Sequence, residues 1–195
     1  MLQKQLLTKE TGWDFNNLYT GDGVVILKNV LSVNDVTHIV ADIARQQFVL
    51  KEHQEINNGQ EHCQYSHLLL IDMYQKVVAA LPLNALATSL DCSCTKYPVS
   101  LSGSAFHKDF SWNTGFVLTF FFGETVFCVA DTREGGNTRV YTVKAGDAVV
   151  MRAPRNYSAT EIALRPIHAI GVVPNILYTF EIRQVDQLRK KLLEK

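Results

Sequence analysis

Apolar positions recur along this chain with two different periods, and the change falls once, between about Leu83 and Cys92. In the first part Val36, Ile39, Val40, Ile43 and Ala44 are spaced by three and four, which places them on one face of a helix. Ser32-Val33-Asn34-Asp35 marks its start as a capping box, the Ser32 hydroxyl accepting from a free backbone N–H. Leu70, Met73, Tyr74, Val77, Val78 and Leu81 repeat the spacing, and Pro82 ends this second helix because its ring blocks continuation. A short strand, Val24 to Leu27, precedes both.

From Cys92 the pattern becomes short β-type runs: Cys92–Tyr97, Phe116–Phe122, Thr125–Ala130, Thr138–Val143, Ala148–Met151, Ile167–Val172 and Ile176–Ile182. Gly123-Glu124, the loop Arg133 to Asn137, and Ala145-Gly146-Asp147 separate them with residues that tolerate turn conformations. Strands at hairpin spacing predict a sandwich, barrel or jelly roll. Val185, Leu188 and Leu192, with Arg189, Lys190 and Lys191 opposite, predict a short closing helix. No repeat or Pro/Gly-rich linker interrupts the chain. The expectation is a single domain over residues 1–195, with 1–91 as a helical support region, 92–184 as the β core and 185–195 as the terminal helix.

A chain of 195 residues with 47% apolar and 19% charged residues can bury a core without a metal or disulfide staple. Nineteen basic residues cancel nineteen acidic ones, which removes the broad positive field of non-specific nucleic-acid binders and leaves room only for a local basic groove. The N-terminal residues lack the apolar core of a signal peptide, and no run approaches the ~20 apolar residues of a membrane helix. A soluble, intracellular protein with reduced Cys63, Cys92, Cys94 and Cys128 is therefore expected. His53, His62 and Cys63 fall in a polar stretch, 51–66, with His67 just after it, that reads as a lid or an exposed loop. Cys92 and Cys94 fit no zinc ribbon, Ser102-Gly103-Ser104 is no nucleophile elbow, and phosphate- or dinucleotide-binding fingerprints are absent.

The chemistry concentrates in His107-Lys108-Asp109 and in His168, sixty-one residues beyond His107. Residues two apart on an extended segment point to the same side, so an imidazole and a carboxylate can converge on one ion. His168 lies in the apolar stretch Pro166 to Val173, where a histidine needs a partner. Two histidines and one carboxylate match the facial triad of non-haem Fe(II) oxygenases, which leaves positions on the metal open.

On these residues the sequence resembles the Fe(II)- and 2-oxoglutarate-dependent dioxygenases, and within them the AlkB-like group. The resemblance runs from about Tyr97 to Val185. It includes Thr95-Lys96-Tyr97, the His107-Lys108-Asp109 motif, Gly135-Gly136, Gly146 to Met151, His168, and Tyr178-Thr179-Phe180 followed by Arg183-Gln184. It implies a mainly β, double-stranded β-helix (jelly-roll) domain supported by the N-terminal helices. It also implies Fe(II) held by His107, Asp109 and His168 as the catalytic and metal residues, with 2-oxoglutarate as cosubstrate and O₂ as oxidant. Arg183 is the implied anchor for the distal carboxylate of 2-oxoglutarate, since an arginine forms a bidentate fork with a carboxylate. The family's other arginine is missing: Asn175 or a neighbour stands in its place and Glu181 intrudes before Arg183, so Arg139, Arg152 and Arg165 remain open as substitutes. Tyr97 is either a hydroxyl donor to the cosubstrate or a core aromatic. Phe110 and Trp112 either line a substrate pocket or pack in the core. The implied reaction is hydroxylation, or oxidative demethylation of an N-methyl carbon, coupled to decarboxylation of 2-oxoglutarate to succinate. The substrate is a methylated nucleobase or nucleic acid, a protein side chain or a small metabolite. Two other readings stand beside it: a cupin-like metal protein that does not use 2-oxoglutarate, and a non-catalytic binding module of the same fold.

Overall fold

The computed structural model describes residues 13–51, 59–81, 89–99, 103–154 and 158–193. In chain order these form α1 (Asn16–Thr20), β1 (Val24–Leu27), α2 (Val33–Ile43), β2 (Val49–Leu50), β3 (Glu61–Gln64), α3 (Leu68–Ala80), β4 (Ser89–Tyr97) and β5 (Asn113–Phe122). β6 (Thr125–Ala130), β7 (Arg139–Val143), β8 (Ala148–Arg152), α4 (Ala159–Ala163), β9 (Ile167–Ile170), β10 (Leu177–Val185) and α5 (Gln187–Leu193) complete the set. All strand pairs are antiparallel. One sheet has the order β1-β8-β5-β10-β4-β3-β2 and the other β7-β6-β9, so the chain is a mainly β jelly roll.

β5 shows why the layers stack as they do. All ten of its residues are buried, as expected for a strand covered on both faces. Phe116, Leu118, Phe120 and Phe122 face outward with Phe180 and Ile182 of β10, and against them pack Ile39 and Ile43 of α2 and Leu70, Tyr74 and Val77 of α3. Val117 and Phe121 face inward, toward Phe127 and Val129 of β6, Val143 of β7 and Ile170 of β9. Each fully buried large side chain contributes about 1.5–3 kcal/mol. The helices therefore cover the outer face of the large sheet, and the space between the two sheets is left to build a site. The Ser32 capping box is present: Asp35 N–H donates to Ser32 Oγ at 3.2 Å, and the Asp35 carboxylate accepts from Ser32 N–H at 3.1 Å. Such a cap is worth about 1 kcal/mol.

Two expectations are corrected. Val185 does not open the terminal helix; it ends β10, paired with Ser89 and Asn113, and the helix starts at Gln187. Asp186 begins it by accepting from the N–H groups of Leu188 and Arg189, both at 3.0 Å. The polar stretch 51–66 is no plain loop either, because Glu61–Gln64 pair with β4 as β3 and with the two-residue β2 on the other side. His53 and Pro82 lie outside the described residues. The four cysteines are free, Cys63 facing Cys94 across β3 and β4. No helix among the described residues is long and apolar enough to cross a membrane.

Asp147, at the turn before β8, is wholly buried. Its carboxylate accepts from the N–H groups of Asn29 (2.9 Å) and Lys144 (3.1 Å) and pairs with Lys28 Nζ at 2.9 Å. It thereby ties the link between β1 and α2 to the turn that launches β8.

Candidate metal centre

The segment that carries His107 and Asp109 reaches the end of β9 because Gly103 allows it. A Cβ there would stand 2.6–2.7 Å from the backbone oxygens of Gly171 and Ile170. Ser104 N–H donates to the Ile170 carbonyl and Ser104 Oγ accepts from Ile170 N–H, both at 2.9 Å. Three residues on, His107 and His168 exchange reciprocal backbone hydrogen bonds of 2.9 Å and form an antiparallel bridge. Directly opposed residues of such a pair project to the same side, and the two imidazole centroids lie 4.5 Å apart. Asp109, two residues along, joins them: the candidate ligand atoms of His107, Asp109 and His168 all lie within 4.8 Å of one another. Side chains gathered this closely could hold one metal ion between them. Among the described residues this is the one cluster of its kind, so His62, Cys63 and His67 form no second centre.

The surroundings suit ligation. His107 Nδ1 lies 2.9 Å from the Ala105 carbonyl and His168 Nδ1 lies 3.3 Å from that of Pro166. A proton on each Nδ1 satisfies these carbonyls and leaves both Nε2 lone pairs for a metal. His168 is 6% exposed and stacks on Phe127 at 5.6 Å. Burial, reinforced by His107, pushes its pKa down to about 4, so the ring is neutral near pH 7. Burial opposes ionisation of Asp109, but His168, Arg183, His107 and Lys51 outweigh it and hold the carboxyl below its usual range. Arg165 donates from Nη1 to the Asp109 backbone carbonyl and from Nε to the Ile162 carbonyl (2.8 Å), fixing the ligand segment from behind.

These shifts give a pH signature in the metal-free protein. His168 binds its proton less readily folded, at about 4, than unfolded, at about 6.5. Its contribution to stability is complete above pH 6.5 and is lost as the pH falls toward 4, about 3 kcal/mol in all. Urea denaturation at pH 7 and pH 4.5 measures this loss. His168→Gln should flatten the slope, and an unchanged slope would assign the titration to another group.

Beside the triad the two sheets enclose a cavity of about 60 Å³, lined among others by Lys51, Gln60, Tyr97, Thr119, Glu181 and Arg183. Tyr97 is 5% exposed. Burial pushes its hydroxyl pKa up, against a hydrogen bond shared with Thr179, so it stays a phenol able to donate. Arg183 donates from Nη1 to Ser93 Oγ at 2.9 Å and pairs through Nη2 with Glu181. The other arginines left open by the sequence lie elsewhere. Arg139 pairs with Asp22 and Asp131, Arg152 donates to the Leu18 carbonyl over the Tyr19 ring, and Arg165 holds the Asp109 carbonyl. Phe110 and Trp112 stack at 4.3 Å and 8° just past Asp109, outside the cavity wall, with Phe110 58% exposed.

Sequence reasoning missed Lys51 and Gln60. Burial, and then Arg183, bring the Lys51 pKa down to about 8. Buried Gln60 accepts from Lys51 Nζ at 3.3 Å and donates to the Gly103 carbonyl at 3.2 Å, linking this wall to the ligand segment. Their only sequence signal was a lysine and a glutamine bracketing a polar stretch.

No family model matches the sequence, and no curated protein matches it. Solved structures do match. A prolyl hydroxylase from Trichoplax adhaerens, in complex with a hypoxia inducible factor oxygen degradation domain peptide fragment, superposes with a TM-score of 0.70 at 13% identity, over 98% of this chain and 96% of that one. A Pseudomonas putida prolyl-4-hydroxylase gives 0.67 at 15%, over 93% and 100%, and OsALKBH1 gives 0.65 at 12%, over 83% and 98%. The fold is that of the 2-oxoglutarate–Fe(II) oxygenases. Within that jelly roll, prolyl hydroxylases and an AlkB-type protein are alike neighbours, so the likeness does not single out the AlkB-like group.

Proposed function

We propose that the protein is an Fe(II)- and 2-oxoglutarate-dependent dioxygenase, residues 1–195 acting as one catalytic domain. The observation that carries this reading is the convergence of His107, Asp109 and His168 beside a cavity that also presents Arg183. Two neutral nitrogens and one carboxylate suit Fe(II) and leave coordination positions open. When bound, the iron supplies O₂ activation coupled to oxidative decarboxylation of 2-oxoglutarate, with a substrate C–H bond hydroxylated. This chain's residues do the rest. His107 and His168 present Nε2, Asp109 supplies the negative charge, and Tyr97 offers a hydroxyl to the cosubstrate. Arg183 is the cation for its distal carboxylate, and the apolar wall of Phe127, Met151 and Ile170 keeps bulk water out.

For the substrate, the exposed Phe110, stacked on Trp112 next to Asp109, favours a planar ring such as a methylated nucleobase. A peptide side chain is the second reading, favoured by the prolyl hydroxylases that superpose over more of this chain than the AlkB-type protein does.

Anaerobic titration of metal-free protein with Fe(II) and 2-oxoglutarate tests the core of the proposal. A weak visible metal-to-ligand charge-transfer band, absent in His107→Ala, is expected. Metal binding without 2-oxoglutarate binding would point to a cupin-like metal protein, and no metal binding would point to a non-catalytic module. Succinate release with methylated oligonucleotides or with peptides then separates the substrates.

A further inference from the structure

The guanidinium of Arg183 is already in contact with a carboxylate, and that carboxylate belongs to the same strand. Glu181 and Arg183 stand two apart on β10, so both side chains project into the space between the sheets. Glu181 takes Nη2, Ser93 Oγ takes Nη1 at 2.9 Å, and the buried Nε has no hydrogen-bond partner among the described residues. This is an incomplete arrangement. A carboxylate that approaches an arginine side-on makes two parallel bonds, to Nε and to Nη2, and a buried N–H left without an acceptor is costly. Glu181 makes an ion pair at Nη2 and leaves that two-bond pattern unformed. Its tether of two residues on the same strand keeps it at the Nη2 corner, where a diffusible carboxylate is not so restrained. Glu181 and Arg183 both line the cavity of about 60 Å³ beside the triad, so a carboxylate that reaches Arg183 there meets Glu181.

We propose that Glu181 is a placeholder for the distal carboxylate of the cosubstrate. It neutralises Arg183 in the resting protein and is displaced when 2-oxoglutarate binds side-on to Nε and Nη2. Glu181 thereby sets the cosubstrate affinity and raises the concentration needed to fill the site. Lys51, on the same cavity wall, keeps the displaced carboxylate in a cationic environment. The inference rests on the reading that 2-oxoglutarate binds in this cavity at Arg183, and it adds a residue that opposes that binding.

The test is calorimetric titration of Mn(II)-loaded wild type, Glu181→Gln and Glu181→Ala with 2-oxoglutarate, alongside Mn(II) titration of each. Mn(II) is redox-silent, so the readout is binding and not turnover. Both variants are expected to bind 2-oxoglutarate about tenfold more tightly with unchanged Mn(II) affinity, which also reports an intact fold. Affinity unchanged or weakened in variants that bind Mn(II) normally, with wild type binding 2-oxoglutarate, overturns the placeholder role and leaves the dioxygenase reading standing. Binding confined to the variants supports the role in its strongest form. Normal Mn(II) binding with no 2-oxoglutarate binding by any of the three overturns both.

Discussion

His168→Ala is expected to lose at least about a hundredfold in metal affinity and to bring turnover to background. Disturbing a group that merely supports a ligand costs 10–100-fold, and this change removes a ligand outright. It also leaves a gap beside Phe127, which stacks on the ring. His168→Gln fills most of that gap, and the half-buried His107→Ala removes another ligand with little packing loss. Asp109→Ala removes the negative charge that two neutral imidazoles cannot replace. Equilibrium dialysis against Mn(II), with circular dichroism to confirm folding, reads all four. If the folded variants keep wild-type affinity, the metal is held elsewhere and the proposed centre is wrong.

Asp147→Ala is expected to cost about 3 kcal/mol of stability, the largest structural effect anticipated here. The wholly buried carboxylate accepts from two backbone N–H groups and pairs with Lys28. Alanine leaves those two N–H groups without an acceptor. The Lys28 side chain is half exposed and returns to water, so the figure sits at the lower end of what breaking a buried pair costs. Asp147→Asn keeps one acceptor oxygen and should lose less. Urea unfolding midpoints at pH 7 give both values. A loss below about 1 kcal/mol for alanine would mean that water substitutes for the carboxylate.

How much of this was legible in the sequence depends on how each element is buried. β5 and the helical stripes of α2 and α3 announce themselves, because each buries a continuous run or a regular face. β3 does not: Glu-His-Cys-Gln shows no apolar alternation, with only Cys63 buried, and it is a strand because β4 offers it a hydrogen-bonding edge. Val185 misled for the opposite reason, its spacing with Leu188 and Leu192 mimicking a helix while β4 and β5 hold it in the sheet. The same division runs through the site. His107, Asp109 and His168 stand out because their chemistry is rare and their spacing patterned. Lys51, Gln60 and the Glu181–Arg183 contact are ordinary polar residues in sequence. They become cavity wall through strand pairing across the large sheet, which no local pattern encodes.

The bridge between His107 and His168 makes the proposed metal centre a property of the main chain. Two reciprocal amide bonds, together with those between Ser104 and Ile170, hold a short flap, residues 103–109, against β9. Opening that flap separates the proposed ligands, and none of residues 103–109 belongs to either hydrophobic cluster, so the centre is expected to come apart at a lower free energy than the domain. By mass action an ion bound across the seam closes it again. Metal occupancy and the amide exchange rates of these few residues are therefore two measures of one local equilibrium.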